Sequence, residues 1–178
     1  MEILNIEKYE KKVNKLNDKY WNSSFKKRWV YMQSVIDEIK NINPESILEI
    51  GAYKINYTDI SDNMDISKKN IDIDNLNNKK YIQNASEIPW EIEDKYYDLV
   101  IICQVFEHLS PNQFNVFNEI IRISKNVIIT IPWKWHKPGN IHHDINEKHL
   151  IEWFGEKHKP YIEKLIDNRL MLCYNFSI

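Results

Sequence analysis

A chain of 178 residues with a formal net charge of −2 has room for one domain that buries about 70% of its unfolded surface. Hydrophobic residues make up 43% and charged residues 28%, the balance of an ordinary globular protein. No basic excess is present to attract nucleic acid or an anionic membrane. The two cysteines, Cys103 and Cys173, sit in apolar runs with no pairing signature, so a reduced, cytoplasmic protein is expected rather than a disulfide scaffold. The apolar runs are too short for a bilayer span, and no membrane insertion is expected.

Residues 2–16, rich in Lys and Glu, predict a first, weakly amphipathic helix. From Phe25, apolar residues recur at Trp29, Met32, Val35, Ile36, Ile39 and Ile42, the spacing of a second helix, which Pro44 ends. Residues 1–43 are therefore expected as an N-terminal helical segment. Residues 44–178 are expected as the main α/β unit, the two parts forming one compact body.

Residues 46–50 read as a buried strand ending at Gly51, followed by short strands at 63–66 and 80–83. Residues 97–103 give the strongest strand signal, a continuous apolar run suited to a parallel strand covered on both faces. Ser110 and Pro111 predict an N-cap and first position of a helix running to about Ser124, with Phe114, Phe117, Ile120 and Ile121 on one face. A strand at 126–131 ends at Pro132. A short helix at 147–154 is closed by Gly155. Residues 161–166 and 170–176 around Asp167-Asn168 predict an antiparallel hairpin. Alternating strands and helices predict a doubly wound parallel sheet, here with a C-terminal antiparallel hairpin.

In such a sheet ligands bind beyond the carboxyl ends of the strands, which singles out the residues after each one. The ordered set is Ile47-Leu48-Glu49-Ile50-Gly51, then Asp65, then Asn84-Ala85, then Tyr97-Asp98-Leu99-Val100-Ile101 followed by Glu107-His108-Leu109. This set resembles the Rossmann-like (class I) S-adenosylmethionine-dependent methyltransferases, and the Glu-His pair resembles their small-molecule branch. The resemblance runs from about residue 46 to 131. It implies a single-domain, Rossmann-like α/β fold and S-adenosylmethionine as cofactor. It also implies methyl transfer to a small-molecule acceptor, with an oxygen of a sugar or surface-glycan precursor as the expected atom.

On that resemblance, Glu49, Gly51 and Ala52 hold the amino-acid end of the cofactor. Cys103 and Gln104 lie under the sulfonium, and Glu107 belongs to the same cofactor set. Asp65 is placed to accept both ribose hydroxyls. Asn84 is placed to bond the adenine amino group, with Ala85 leaving room for the ring. Gly51, lacking a Cβ, lets the backbone turn tightly beside a ligand. The first loop holds one glycine where the family carries two or three, and a dozen residues separate Gly51 from Asp65. A loop or single turn is therefore expected there in place of a full helix. The single glycine also keeps open an inactive, methyltransferase-like partner subunit. Taken singly, Gly51 reads as a turn, Asp65 as a solvated turn or cap residue, and Glu107-His108 as a helix-start pair.

The loop after the fifth strand is rich in histidine: His136, His142, His143 and His149, with Asp144 and Glu147. Neither an HExxH nor a CxxC pattern accompanies them, so no metal is expected. A neutral-pH base fits better, and His143 and His108 are the catalytic candidates. Trp133, Trp135, His136 and His142 are the candidates for acceptor binding, since aromatic faces beside Lys134 suit a sugar ring or a phosphorylated metabolite. The alternative for the tryptophans is plain packing. No nucleic-acid partner is expected, and a homo-oligomer through the N-terminal helices stays open.

Overall fold

The computed structural model describes residues 1–66, 80–136 and 144–177, with Lys80 described by its backbone alone. Three helices come first: α1 (Ile6–Leu16), α2 (Lys19–Asn22) and α3 (Phe25–Ile42). Asn5 caps α1 by accepting from the Lys8 N–H, and Asp18 caps α2 by accepting from the Tyr20 N–H. Asn17 and Asn43 stop α1 and α3 in left-handed backbone, which Asn tolerates well. The sequence pattern merged α2 into its surroundings, because four residues are too few to show a period.

Seven strands follow: β1 (Ile47–Ile50), β2 (Asp62–Asp65), β3 (Lys80–Asn84), β4 (Tyr97–Cys103), β5 (Ser124–Pro132), β6 (Ile162–Ile166) and β7 (Arg169–Asn175). They form one sheet in the order β3-β2-β1-β4-β5-β7-β6. The first five strands in that order are mutually parallel, and β7 joins β5 antiparallel. The carboxyl ends of the five therefore share one edge, and the strand order reverses at β1 and β4.

Both faces of the sheet are covered, which is why the interior of β4 is apolar without alternation. On one face α1 and α3 bring Tyr9, Val13, Met32, Val35 and Ile39 onto Ile47, Leu99, Ile101 and Ile128. On the other, α4 (Gln113–Ile123) and α5 (Glu147–Phe154) bring Val116, Phe117, Ile120 and Phe154 onto Leu48, Val100, Ile102, Val127 and Ile129. Phe117 is the hub of that layer, with ring centroids 4.9 Å from Phe154 and 5.2 Å from Tyr174.

Two expectations about α4 are corrected. It begins at Gln113, not at Pro111, and its cap position is Asn112 rather than Ser110. A 3-10 turn over Phe106–Leu109 precedes it and buries Phe106 and Leu109, so the chain must still pass Ser110 and Pro111 before α4 can start. Phe114 faces solvent, at 49% exposure. The buried stripe runs through Gln113, Val116, Phe117, Ile120 and Ile123 instead.

No helix joins β1 to β2, as the short spacing predicts. Residues 85–96 also cross from β3 to β4 without one. This second loop is fastened to α4 by Arg122, which donates to the carbonyls of Trp90 (3.0 Å) and Ile92 (2.7 Å) and to Glu119 (2.6 Å). Glu119 in turn accepts from the Trp90 N–H at 2.7 Å. Among the described residues no helix is long and apolar enough to cross a membrane, and both cysteines are free.

Phe117→Ala leaves a cavity where three aromatic neighbours meet. It should lower the unfolding free energy by about 3–5 kcal/mol, read as a lower urea midpoint with an unchanged slope.

Candidate active site

The carboxyl edge of the sheet holds two recesses, with Tyr20 lining both. The first is lined by Glu49, Gly51, Tyr53, Cys103, Tyr20 and Trp21. Gly51 leaves β1 with φ +77°, and a Cβ there would lie 2.3 Å from a Val105 methyl. Only glycine lets the two turns, after β1 and after β4, approach so closely. Its N–H donates to the Met64 carbonyl at 2.8 Å, which holds the turn against β2.

Glu49 is 2% exposed. Its Oε1 accepts from the N–H groups of Tyr57 (2.8 Å) and Thr58 (3.4 Å) and from the Ser61 hydroxyl (2.5 Å). The side chain therefore organises the helix-free crossover to β2. Burial pushes its carboxyl up to about 7, partly offset by the hydrogen bonds from Ser61, Asn56 and the loop backbone. Ala52 is half-buried on the same turn.

A roof lies over this recess. Trp21 of α2 donates its indole N–H to the Tyr53 carbonyl (3.1 Å), and Asp18 receives the Tyr53 hydroxyl (3.4 Å) and the Lys54 ammonium (3.3 Å). Tyr53 and Lys54 both have positive φ, 39° and 72°, a costly conformation for two successive non-glycine residues. These contacts hold it.

Next along the edge, a register shift in the β2–β3 pair sets Asp65 directly opposite Asn84. Asp65 is 6% exposed, and its Oδ1 accepts from the Ile66 N–H at 2.6 Å. Asn84 accepts from the Ser86 N–H and hydroxyl through Oδ1. Ala85 is fully buried beneath Trp90, whose indole donates to the Ala85 carbonyl at 3.3 Å. Cys103 is half-buried. Burial pushes its thiol up to about 12, so it stays protonated at neutral pH. Gln104 adopts left-handed backbone, φ 57°, which turns the chain out of β4 and presents the following residues to the edge.

The second recess is lined by Gln104, Glu107, His108, Trp135, Arg28 and Arg169. Glu107, expected on the cofactor side, lies here. It is 4% exposed, its Oε2 has no hydrogen-bond partner, and burial pushes its carboxyl up to about 8. His108 stands at the rim with Nε2 3.9 Å from Glu107 Oε1.

Of the acceptor candidates, Trp135 lines this recess, while Trp133 is half-buried against the core. His136 is exposed and its Nδ1 lies 3.0 Å from Asp144. His142 and His143 lie outside the described residues. His149 belongs to the capping box of α5 with Asn146 and packs against Trp153. Among the described residues no group of three metal-ligating side chains is present.

Sequence reading missed Arg28 and Arg169. Arg28 had a signal: it falls in the series 25, 28, 32, 35 and 39, the inward stripe of α3, where a cation is out of place unless it has work to do. Arg169, at a hairpin turn, had none.

Residues 42–127 match the family model described as a methyltransferase domain. That stretch is just under half of the chain, and the fold around it is one that solved methyltransferases share. A similar solved structure is a SAM dependent methyltransferase from Aquifex aeolicus, 12% identical, with a TM-score of 0.63, covering 96% of this chain and 98% of that one. The 16S rRNA methylase ArmA is 19% identical with a TM-score of 0.56, covering 97% and 98%. The 16S rRNA methylase RmtB is 15% identical with a TM-score of 0.60, and the chain spans 65% of its length. No curated protein matches the methyltransferase in sequence.

The cofactor of this methyltransferase is S-adenosylmethionine, and the edge suits it. The ligand has no pyrophosphate, so the absence of a helix N-terminus after β1 removes nothing it needs. The bare Gly51 turn, a carboxylate at the end of β2 and an amide at the end of β3 are the group types that a sulfonium amino acid, a ribose and an adenine call for.

Glu107 sets a pH dependence. Its carboxyl is near 8 folded against 4.5 unfolded, so the folded state holds the extra proton between those values and stability falls as pH rises through that window. Glu107→Gln should flatten that fall. Urea titrations at pH 5 and pH 8 should show the variant gaining on the parent by about 2 kcal/mol or more at the higher pH.

Proposed function

We propose that this methyltransferase moves a methyl group from S-adenosylmethionine to an oxygen of a small-molecule acceptor, with a sugar or glycan precursor as one such acceptor. The observation that carries the small-molecule reading is the second recess. It is a half-open recess with both polar and apolar lining, on a chain of net charge −2 with no basic excess to track a phosphate backbone. Two solved structures of the same fold are named as 16S rRNA methylases, which makes a ribosomal RNA acceptor the reading to be tested against it.

In this proposal Gly51, Ala52 and the neighbouring backbone of β1 receive the amino-acid end of the cofactor. Glu49 acts behind them by fixing the loop that Tyr57, Thr58 and Ser61 anchor to it. Asp65 takes the ribose hydroxyls. Asn84 and the backbone at Ala85 frame the adenine, and Cys103 and Gln104 border the reacting centre. When bound, the cofactor supplies an electrophilic methyl on a sulfonium. The residues after β4 and β5 hold the acceptor hydroxyl in line and take its proton.

His108 at the rim takes that proton, and Glu107, held neutral by burial, stands beside it as a hydrogen-bond donor toward the acceptor. His143 is a second candidate base, and Trp135, His136 and His142 contact the acceptor. The roof formed by α2 closes the amino-acid end of the cofactor recess from water.

Calorimetry with S-adenosylhomocysteine should give a dissociation constant in the micromolar range or below, about 8 kcal/mol of binding. Saturating ligand should raise the melting temperature. Asp65→Ala should weaken binding at least about tenfold, the loss of a charge-assisted pair of hydrogen bonds, without lowering the amount of folded protein. No binding at millimolar ligand would overturn the reading. Radiolabelled methyl transfer into a metabolite extract, but not into ribosomal subunits, should separate the two acceptor classes.

A further inference from the structure

The second recess contains more charge than proton removal requires. Arg28 of α3 and Arg169 of β7 both reach it, and each has a buried Nε–H with no hydrogen-bond partner. Arg28 forms no ion pair with a carboxylate among the described residues. Its guanidinium lies over the Tyr20 ring at 3.7 Å and 5.5 Å from the Trp21 ring. Arg169 lies over the Tyr31 ring at 4.9 Å and donates to the Asn168 side chain at 3.1 Å. The carboxylate nearest to it, Asp167, is 3.8 Å away and 59% exposed, a weak surface contact.

Stacking on rings holds each guanidinium in place while its buried Nε–H stays unspent. A buried donor without a partner is destabilising by about 1–3 kcal/mol, more when charged. Two such forks in one recess, with Glu107 as its only buried acid among the described residues that line it, are a preorganised receptor for a planar or tetrahedral anion.

We propose that Arg28 and Arg169 clamp an anionic group, a carboxylate or a phosphate, on the methyl acceptor, and so select small anionic acceptors. This rests on the methyltransferase reading of the neighbouring recess. The clamp joins the N-terminal helices to the C-terminal hairpin, so the acceptor is gripped from both sides of the carboxyl edge. Its anion sits at the guanidinium end, and its hydroxyl is directed toward Glu107. A nucleic acid also carries phosphates, but two forks inside a pocket hold one anion rather than a strand. The chain as a whole, with 24 basic and 26 acidic residues, has no net excess of positive charge to track a strand.

The test uses the full chain, first saturated with S-adenosylhomocysteine, and calorimetric titration with inorganic phosphate and separately with benzoate. At least one should bind in the millimolar range or tighter. Arg28→Met and Arg169→Met should each weaken it tenfold or more while S-adenosylhomocysteine affinity stays at the parent value. Arg28→Lys, which keeps the charge and loses the fork, should give an intermediate loss and covers the case in which a methionine variant fails to fold. Lys148→Met, which removes an exposed charge 3.8 Å from Glu152, should change nothing. The proposal is overturned if neither anion binds the loaded protein, or if binding is indifferent to both arginines. It is equally overturned if a 16S ribosomal RNA fragment binds through Arg28 while neither small anion does. If S-adenosylhomocysteine fails to bind but an anion still binds through both arginines, the clamp stands and the methyltransferase reading of the first recess falls.

Discussion

The carboxylate of Glu49 is the contact on which this carboxyl edge depends. Parallel strands need a crossover, and the usual device is a helix whose own hydrogen bonds satisfy the connecting backbone. Between β1 and β2 there is no room for one. A single buried oxygen instead collects two backbone N–H groups and a hydroxyl, so the loop is folded around a side chain rather than around itself. Burial alone would favour the neutral acid, while the three donors favour the anion. Because the loop is pinned from within, the Gly51 turn can lie against Val105 and the carboxyl ends of β1 and β4 stay open at their surface.

A second economy of the same kind supports the other side. The loop from β3 to β4 has no helix either, and Arg122 does for it what Glu49 does for the first loop, spending its fork on two carbonyls and two carboxylates. Polar side chains that are fully satisfied can replace regular secondary structure when the chain is short. The arginines of the second recess invert this logic: each keeps a buried Nε–H without a partner, which is what distinguishes a binding group from a structural one of the same type.

Much of the fold was legible because its strongest elements obey local rules. Residues 97–103 are apolar because both faces are covered, and the strand has those bounds. Gly155 marks the end of α5, and Asp167-Asn168 marks the hairpin turn. What was not legible depended on contacts between distant residues. Ser110 and Pro111 have the composition of a helix start, but the turn at Phe106–Leu109 buries two apolar side chains first and delays α4. Glu49 looked like a ligand residue, and its loop-holding bonds come from positions that nothing local ties to it. Arg28 broke the apolar stripe of its own helix, a signal visible in the period. Its counterpart Arg169 became meaningful only once the hairpin had been placed beside β5.

The layer built by the N-terminal helices has a kinetic side. Its core unites Leu4, Tyr9, Val13 and Val35 with Leu99, Ile128, Met171 and Cys173, so early and late parts of the chain close one surface together. Contacts of such sequence separation slow folding, because chain entropy is lost before the packing that offsets it is gained. During synthesis the first helices emerge well before β5 and β7 exist to receive them. Their apolar stripes must wait uncovered, and the newborn chain is exposed to chaperones and to self-association for as long as the last hairpin is unmade.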